Sequence, residues 1–431
     1  VLEHIHCLGV DIVLIEEDKT KALMETASLP RLVQVIYGRF DEEKTWNSAR
    51  VSECRYILFC LEDWISAEVI LGLSKKTDAR IIVITSGHEA DQLLPLCGAD
   101  ILVHSRDIVG TLTARHALLA TEPDTLEKNP LMQEILHETS SAFGSCRFVR
   151  IPVIPGSIAE GRTISSLRFE EDYQFRLIYL LKRGEIILSP PGDMIIDRSM
   201  VLFFIGPGAG LFRLISGAFL ARAGDENNAI VAGFGDMGSV ITRDLQKFGI
   251  SCISIDSNPQ SGADIIGTSR SVLASAGALI GKARFFLAVT HDDRENLFTT
   301  LMVRHANPDV CIFSRCLRPE LIPRMYEAGA DYVVYVPTIL AQAVCRMMLY
   351  HDAQILHIIG HSLHIAAKQV TCTRPADVGT LRKKTGISIL ARDRRKKVVF
   401  SLSDAEEICQ GDCLYLMGTE VQIQKAIKKL S

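Results

Sequence analysis

Three glycines and one aspartate have the types and spacing to hold a nucleotide. Gly233, Gly235 and Gly238 fall in the order G-x-G-x-x-G, and Asp256 lies 18 residues beyond the third. The first glycine permits a tight turn, the second lets backbone N–H groups approach a pyrophosphate, and the third lets a helix lie close on a strand. A carboxylate about 20 residues further on accepts hydrogen bonds from a ribose diol and repels a 2′-phosphate, which favours NAD or an adenine nucleotide over NADP. For this chemistry the glycines must sit between a strand and a helix. The flanking residues supply both. Ala229–Ala232 is an apolar run, Ser239–Phe248 reads as a helix closed by Gly249, and Ile250–Ile255 is a second apolar run that delivers Asp256. The helix start then directs its partial positive charge at phosphate. The candidate contacts here are Gly233, Phe234, Gly235, Asp236, Met237, Gly238, Asp256 and Ser257.

The 431 residues are enough for three or four domains, and 48% hydrophobic with 23% charged residues is the balance of a well-cored globular chain. A net charge of −4 leaves no basic footprint for nucleic acid. The 12 cysteines form no C-x-x-C pair and read as reduced, mostly buried thiols. The most apolar stretch, Met200–Ala221, is broken by Pro207, glycines and Arg213, so it reads as strand, turn and helix, not as a membrane span.

In order, the chain reads as the end of a helix (Val1–Leu8), then strand Val10–Ile15, helix Lys19–Ser28, strand Leu32–Ile36, strand Tyr56–Cys60, a helix to Lys75, strand Arg80–Thr85, helix Ala90–Cys97 and strand Ile101–His104. Strands alternating with helices predict a parallel sheet. The pattern recurs. Gly9 and Glu16 match Gly249 and Asp256 at an offset of 240, Gly38 and Tyr56 match Gly267 and Phe285 at 229, and Gly98-Ala99-Asp100 matches Gly329-Ala330-Asp331 at 231. The drop in offset predicts that the second copy lacks most of one crossover helix, between Ser257 and Ile265. An offset of 240 also places the first copy's glycine turn before residue 1, so the sequence is expected to begin inside its first domain.

Each unit is followed by a smaller β-rich segment. Phe148–Ile154, Phe175–Lys182, Glu185–Leu188 and Met200–Ile205 are β-like in the first; Val370–Thr373, Ile387–Ala391, Val398–Ser401 and Cys413–Met417 are β-like in the second, ahead of a closing helix. The expected divisions are 1–120 for a truncated first Rossmann-like domain, 121–145 for a helical linker, 146–222 for its β-rich partner, 227–350 for the second Rossmann-like domain and 360–431 for its partner. The fold class is α/β: two Rossmann-like parallel-sheet domains, each followed by a small α+β subdomain.

This layout resembles tandem RCK domains, regulators of K+ conductance of the TrkA-N/TrkA-C type. The resemblance rests on the glycine turn, on Thr290-His291-Asp292-Asp293-Arg294-Glu295-Asn296 against the family's T-x-D-D-x-x-N, on Arg315 after the fifth strand, on Gly329-Ala330-Asp331, and on Gly411-Asp412 before the closing strand. It adds Gly267, Thr268, Ser269, Thr290, His291, Asp292, Asn296 and Arg315 to the candidate ligand contacts, with Asp292 read foremost as a helix cap. Gly267-Thr268-Ser269 and Gly38-Arg39-Phe40 depart from the family's G-D-A, and Cys60-Leu61-Glu62-Asp63 departs from T-x-D-D. The first unit is therefore not expected to hold the nucleotide in the same way, although Arg39 is a candidate to face phosphate. Thr85-Ser86 and Arg315 stand where calcium-gated members place acids, which leaves Ca2+ unsupported and the metal sites unknown.

What the resemblance implies is a non-enzyme: the ligand-sensing gating ring of a potassium channel, on the cytoplasmic face of the cell membrane. It would bind NAD, NADH, ADP or ATP and work as a tetramer with eight RCK units in a ring. The runner-up is a peripheral TrkA-like subunit of a Trk or Ktr potassium uptake system. In either case the partner is a K+ channel pore or a Trk-type membrane subunit, and nucleic acid is not one. A distant alternative, an NAD-dependent oxidoreductase, lacks a catalytic insertion or an evident Lys/His/Asp constellation. Four other stretches read as structural. His357, His361 and His364 could bind a metal or sense pH if helical; Asp41–Glu43 and Glu170–Asp172 read as solvated turns; Arg392–Lys397 reads as a hairpin tip.

Overall fold

The computed structural model describes residues 11–28, 33–85, 87–118, 144–219, 228–268, 277–348, 353–359, 363–373 and 376–431. Ser269, His361, the first eight residues and most of the 121–145 linker lie outside the described residues.

The first unit contributes β1 (Ile12–Glu16), α1 (Lys19–Ser28), β2 (Val33–Tyr37), β3 (Tyr56–Phe59), α2 (Asp63–Leu73), β4 (Arg80–Thr85), β5 (Ile101–His104) and α3 (Ser105–Leu118). Its strands form two parallel groups, β1-β2 and β3-β4-β5. A small antiparallel sheet follows: β6 (Cys146–Pro152), β7 (Arg176–Lys182), β8 (Glu185–Leu188) and β9 (Met200–Pro207), in the order β6-β9-β7-β8. Met200–Phe219 is strand, turn and short helix, and no helix among the described residues is long and apolar enough to cross a membrane.

The second unit is a six-stranded parallel sheet of β10 (Asn228–Ala232), β11 (Ser251–Asp256), β12 (Ile265–Ile266), β13 (Phe285–Ala288), β14 (Cys311–Cys316) and β15 (Tyr332–Tyr335), in the order β12-β11-β10-β13-β14-β15. Its central strands are apolar on both faces; Phe285, Phe286, Leu287 and Ala288 are all buried, as helices on each side of a parallel sheet require. Three helices matter here: α4 (Asp236–Lys247), α5 (Asp293–Ala306) and α6 (Val336–Met347). β11 runs into β12 through turns with no helix between, as the offset predicted. In the first unit, α1 fills that crossover. Among the described residues the first unit has no strand at the position that β10 holds in the second.

The last sheet contains β16 (Ala353–Ile359), β17 (Leu363–Gln369), β19 (Ser388–Arg394), β20 (Lys397–Val399) and β22 (Cys413–Thr419); β18 (Ala376–Asp377) pairs apart with β21 (Glu407–Ile408), and α7 (Glu420–Leu430) closes the chain. One expectation fails here, and one open reading loses its condition. Val370–Thr373 follows a strand instead of forming one, and the stretch holding His357 and His364 is an antiparallel pair, β16 with β17, not a helix. The β-branched residues Ile355, Ile358, Ile359 and Ile365 on both sides of Gly360 carry the strand signal. His357 is buried, accepts or donates to Tyr179 Oη at 2.5 Å and Gln342 Nε2 at 2.6 Å, and stacks on Phe148 at 4.7 Å. It is a core residue joining the two β-rich sheets.

The other charged stretches are spent on local structure. Arg395 and Lys396 adopt positive φ at the β19–β20 turn, while Arg392 and Arg394 pair with Glu406 and Asp412. Asp41, Glu42 and Glu43 pair with Arg39, Lys44 and Lys76, and Glu170 pairs with Arg176.

The two Rossmann-like units trade their last helices. α3 of the first packs on α4 of the second: a Cβ on Gly110 would lie 2.9 Å from Val240 and 3.2 Å from the Met237 carbonyl, and Thr111 Oγ1 donates to Asp244 at 2.8 Å. In return, Val344, Cys345 and Met348 at the end of α6 pack against Ile82 and Val103 of the first sheet. Val109, Ala114 and Ala117 of α3 share one core with Phe285, Phe313 and Tyr332, with Tyr179 and Phe203 of the first β-rich sheet, and with Leu356 and Ile365 of the second.

Candidate functional site

Strand order in the six-stranded sheet reverses between β10 and β13, so their carboxyl ends leave a crevice. The glycine turn forms its floor. Gly233 has φ +102°, and a Cβ there would lie 2.7 Å from the Thr290 nitrogen, so this position takes only glycine without strain. A Cβ on Gly238 would lie 1.9 Å from the Gly233 carbonyl oxygen, which is the close helix-on-strand packing expected of the third glycine. Gly235 differs. It is exposed, and its nearest would-be contact is His291 Nε2 at 3.6 Å. A side chain there would project into open space bordered by one imidazole.

Gly235 is the N-cap of α4, with no side chain capping the helix, so the first N–H groups of α4 face the crevice without a protein acceptor from the cap. Asp236 leans away, paired with Arg106 of α3, while Met237 packs partly into the shared core. Asp256, half-buried at the end of β11, accepts from the Phe234 nitrogen at 2.6 Å through Oδ2 and from the Asn258 nitrogen at 2.8 Å through Oδ1. Each carboxylate oxygen keeps a further lone pair. The carboxylate thus pins the glycine turn and can still accept from a diol. Ser257 and Thr268 are exposed beside it, and the Gly267 nitrogen donates to the Asp256 carbonyl at 2.8 Å.

The opposite wall is a bracket built by Asn296, which is fully buried on α5. Its Oδ1 accepts from the Thr290 nitrogen at 2.9 Å and from Thr290 Oγ1 at 2.8 Å; its Nδ2 donates to the carbonyls of Thr290 at 3.1 Å and Arg315 at 3.2 Å. Asn296 therefore shapes the wall from behind. Arg315 donates from Nη1 to the Thr290 carbonyl at 2.6 Å, while its Nε is buried with no hydrogen-bond partner among the described residues. Burial draws its pKa below the usual guanidinium value. Asp292 caps α5 by accepting from the Arg294 nitrogen at 2.7 Å. His291 is exposed at the rim.

Two contributors went unselected in the sequence. Asp293, buried next to the selected Asp292, accepts from the Leu317 nitrogen at 3.0 Å and the Arg318 nitrogen at 3.1 Å, and so fixes the chain after β14. Its doubled-Asp context was the available signal. Arg106 reaches the glycine turn from the other unit, 130 positions away, with no local signal at all. Arg39, by contrast, is exposed and forked onto Asp41 at 2.9 and 2.7 Å, away from this crevice's residues.

The chain matches the TrkA-N domain family over residues 1–105 and 229–336, and the TrkA-C domain family over residues 148–216. It belongs to the TrkA-N/TrkA-C family. Potassium channel protein 1 of Methanocaldococcus jannaschii is 27% identical over 221 residues, which cover 46% of this chain and 65% of that protein. Probable potassium channel protein 2 of the same organism is 25% identical over 224 residues, with 46% and 65% covered. These matches thus span 65% of the length of each curated relative. Among solved structures, the GsuK RCK domain aligns with a TM-score of 0.60 at 21% identity, covering 99% of this chain and 93% of that one. The GsuK channel aligns at 0.62 and 20% identity, and the GsuK channel bound to NAD at 0.60 and 20%, each covering 99% of this chain and 77% of the other. At that identity the likeness establishes the fold: Rossmann-like TrkA-N domains with TrkA-C subdomains, related to the RCK domains of potassium channels.

Proposed function

We propose that the chain is a ligand-sensing regulator of potassium flux that binds NAD or an adenine nucleotide in the second Rossmann-like unit. The observation that carries this reading is the crevice itself. Open space lies above Gly235, an uncapped helix start faces it, and Asp256 holds the turn while keeping lone pairs for a ribose. The orphaned Arg315 Nε on the facing wall fits an anionic ligand. The relatives include potassium channels and an NAD-bound GsuK channel, which agree with a gating-ring role at the cytoplasmic face of a membrane and not with an enzyme. Exposed apolar residues on matching helices, Trp64 and Leu71 on α2 and Phe298 and Leu301 on α5, fit assembly of such units into a ring of four chains.

In this reading binding draws the glycine turn and the Thr290 wall together. α4 carries the shift to α3 and through the common core to both β-rich sheets. A ligand moves the equilibrium only by its preference for one arrangement; a tenfold preference is worth about 1.4 kcal/mol. Calorimetry with NAD, NADH, ADP and ATP tests the reading. At least one is expected to bind, Asp256→Ala is expected to weaken it by roughly 10-fold or more, and Gly235→Val to abolish it with the fold intact. Unchanged binding in both variants would move the ligand elsewhere.

A further inference from the structure

At the carboxyl edge of the first unit's sheet, two segments bring two imidazoles and a carboxylate together. His88 and Asp91 lie in the connection after β4, and His104 ends β5. His88 Nδ1 is 2.7 Å from Asp91 Oδ2, His104 Nε2 is 3.4 Å from Asp91 Oδ1, and one ligand atom from each residue lies within 4.8 Å of the others. We propose that His88, Asp91 and His104 bind one divalent transition-metal ion of the Zn2+ class, with Asp107 as the supporting carboxylate.

Distance and donor chemistry both argue for it. A tetrahedral zinc ion with bonds near 2.0–2.2 Å separates its ligands by about 3.4 Å. The His104–Asp91 pair already has that spacing, and the His88–Asp91 pair needs to open by well under 1 Å. Two imidazoles and one carboxylate suit Zn2+, Ni2+ or Co2+; Ca2+ and Mg2+ require a shell of oxygens that is not here. Asp91 Oδ1 is buried and, although His104 Nε2 lies 3.4 Å away, makes no hydrogen bond among the described residues, so it keeps lone pairs for a cation. His88 Nε2 is 2.7 Å from Asp107 Oδ2 in the first turn of α3. A carboxylate behind a ligating imidazole fixes its tautomer and leaves Nδ1 free for the metal. His88 is exposed, which leaves an entry path and room for water as the fourth ligand.

Hydrogen bonding to Asp91 and the charge of Asp107 raise the His88 pKa, so a proton competes with a cation for these contacts. The experiment separates the two. The full chain, stripped of metal, is titrated with ZnCl2 by calorimetry and followed by thermal melting, and the titration is repeated with CoCl2. One equivalent is expected to bind and to raise Tm. His88→Ala and His104→Ala are each expected to weaken binding by more than about 100-fold, and Asp107→Asn by about 10–100-fold. Cys60→Ser, which removes an exposed thiol, is expected to leave binding unchanged. Because His88 is exposed, its variant tests the site even if His104→Ala folds poorly. No heat and no Tm change with either ion, or full-strength binding in His88→Ala, would overturn the proposal; so would a Tm that follows pH and ignores metal.

Discussion

The two Rossmann-like units share key framework hydrogen bonds and part company at the crevice. In both, the aspartate of the Gly-Ala-Asp turn accepts from the second residue of the neighbouring strand: Asp100 from the Ile81 nitrogen at 2.6 Å, Asp331 from the Ile312 nitrogen at 2.8 Å. In both, the glycine after the third strand donates to the acidic residue's carbonyl, Gly38 to Glu16 and Gly267 to Asp256. The acids themselves then differ. Asp256 holds the Phe234 nitrogen of a glycine turn, whereas Glu16 is taken by Lys21 at 2.9 Å. Where Asn296 brackets the second unit's wall with four hydrogen bonds, the first unit has Ser66, buried and too short, its hydroxyl without a hydrogen bond among the described residues. Duplicated strand-to-strand anchors with unlike crevices are what two copies look like when both must fold but their crevices are shaped for different ends.

The largest effect should come from Gly238→Ala. Its Cβ would collide with backbone at 1.9 Å, so a loss of about 3 kcal/mol or more is expected by denaturant unfolding. Gly38→Ala in the first unit meets only the Thr45 side chain and should cost about 1 kcal/mol. Equal costs would break the contrast between a backbone-locked turn and a tolerant one.

A middle effect should follow pH. His116 on α3 is fully buried against Tyr332 of the other unit, and burial together with the nearby Arg150 and Arg115 holds its pKa well below the usual imidazole value. The folded state keeps it neutral, while the unfolded chain takes up a proton below about pH 6.5. Stability is therefore full above that pH and falls by up to about 1.4 kcal/mol per unit below it. His116→Phe should flatten this slope in pH-dependent melts. A wild-type slope in the variant would show that the traded helix is not the acid-sensitive joint.

The smallest effects belong to the first unit's crevice residues. Glu16→Ala and Arg39→Ala should leave nucleotide affinity by calorimetry unchanged, since Glu16 is committed to Lys21 and Arg39 to Asp41. A loss of binding in either would place a ligand in the first unit and erase the contrast.

Sequence carried the framework well because its signals are local. Apolar runs bounded by glycine gave β4 as Arg80–Thr85 and β5 as Ile101–His104, and a falling repeat offset located the absent crossover helix. The glycine turn was legible for the same reason: three backbone requirements lie within six residues. What stayed hidden depends on chain segments far apart. Arg106 meets Asp236 only once the last helices are exchanged, and the tie of Tyr179 to His357 needs the two β-rich sheets to face each other. The β16–β17 hairpin was lost to a histidine spacing that suits a helix and a strand pair alike.

The exchange of closing helices has a mechanical outcome. Each sheet is finished by a helix packed against its neighbour, so a tilt of one sheet would have to repack the helix that closes the other. A rearrangement in one unit would then need no long relay to reach the other, because the same helix pair closes both sheets.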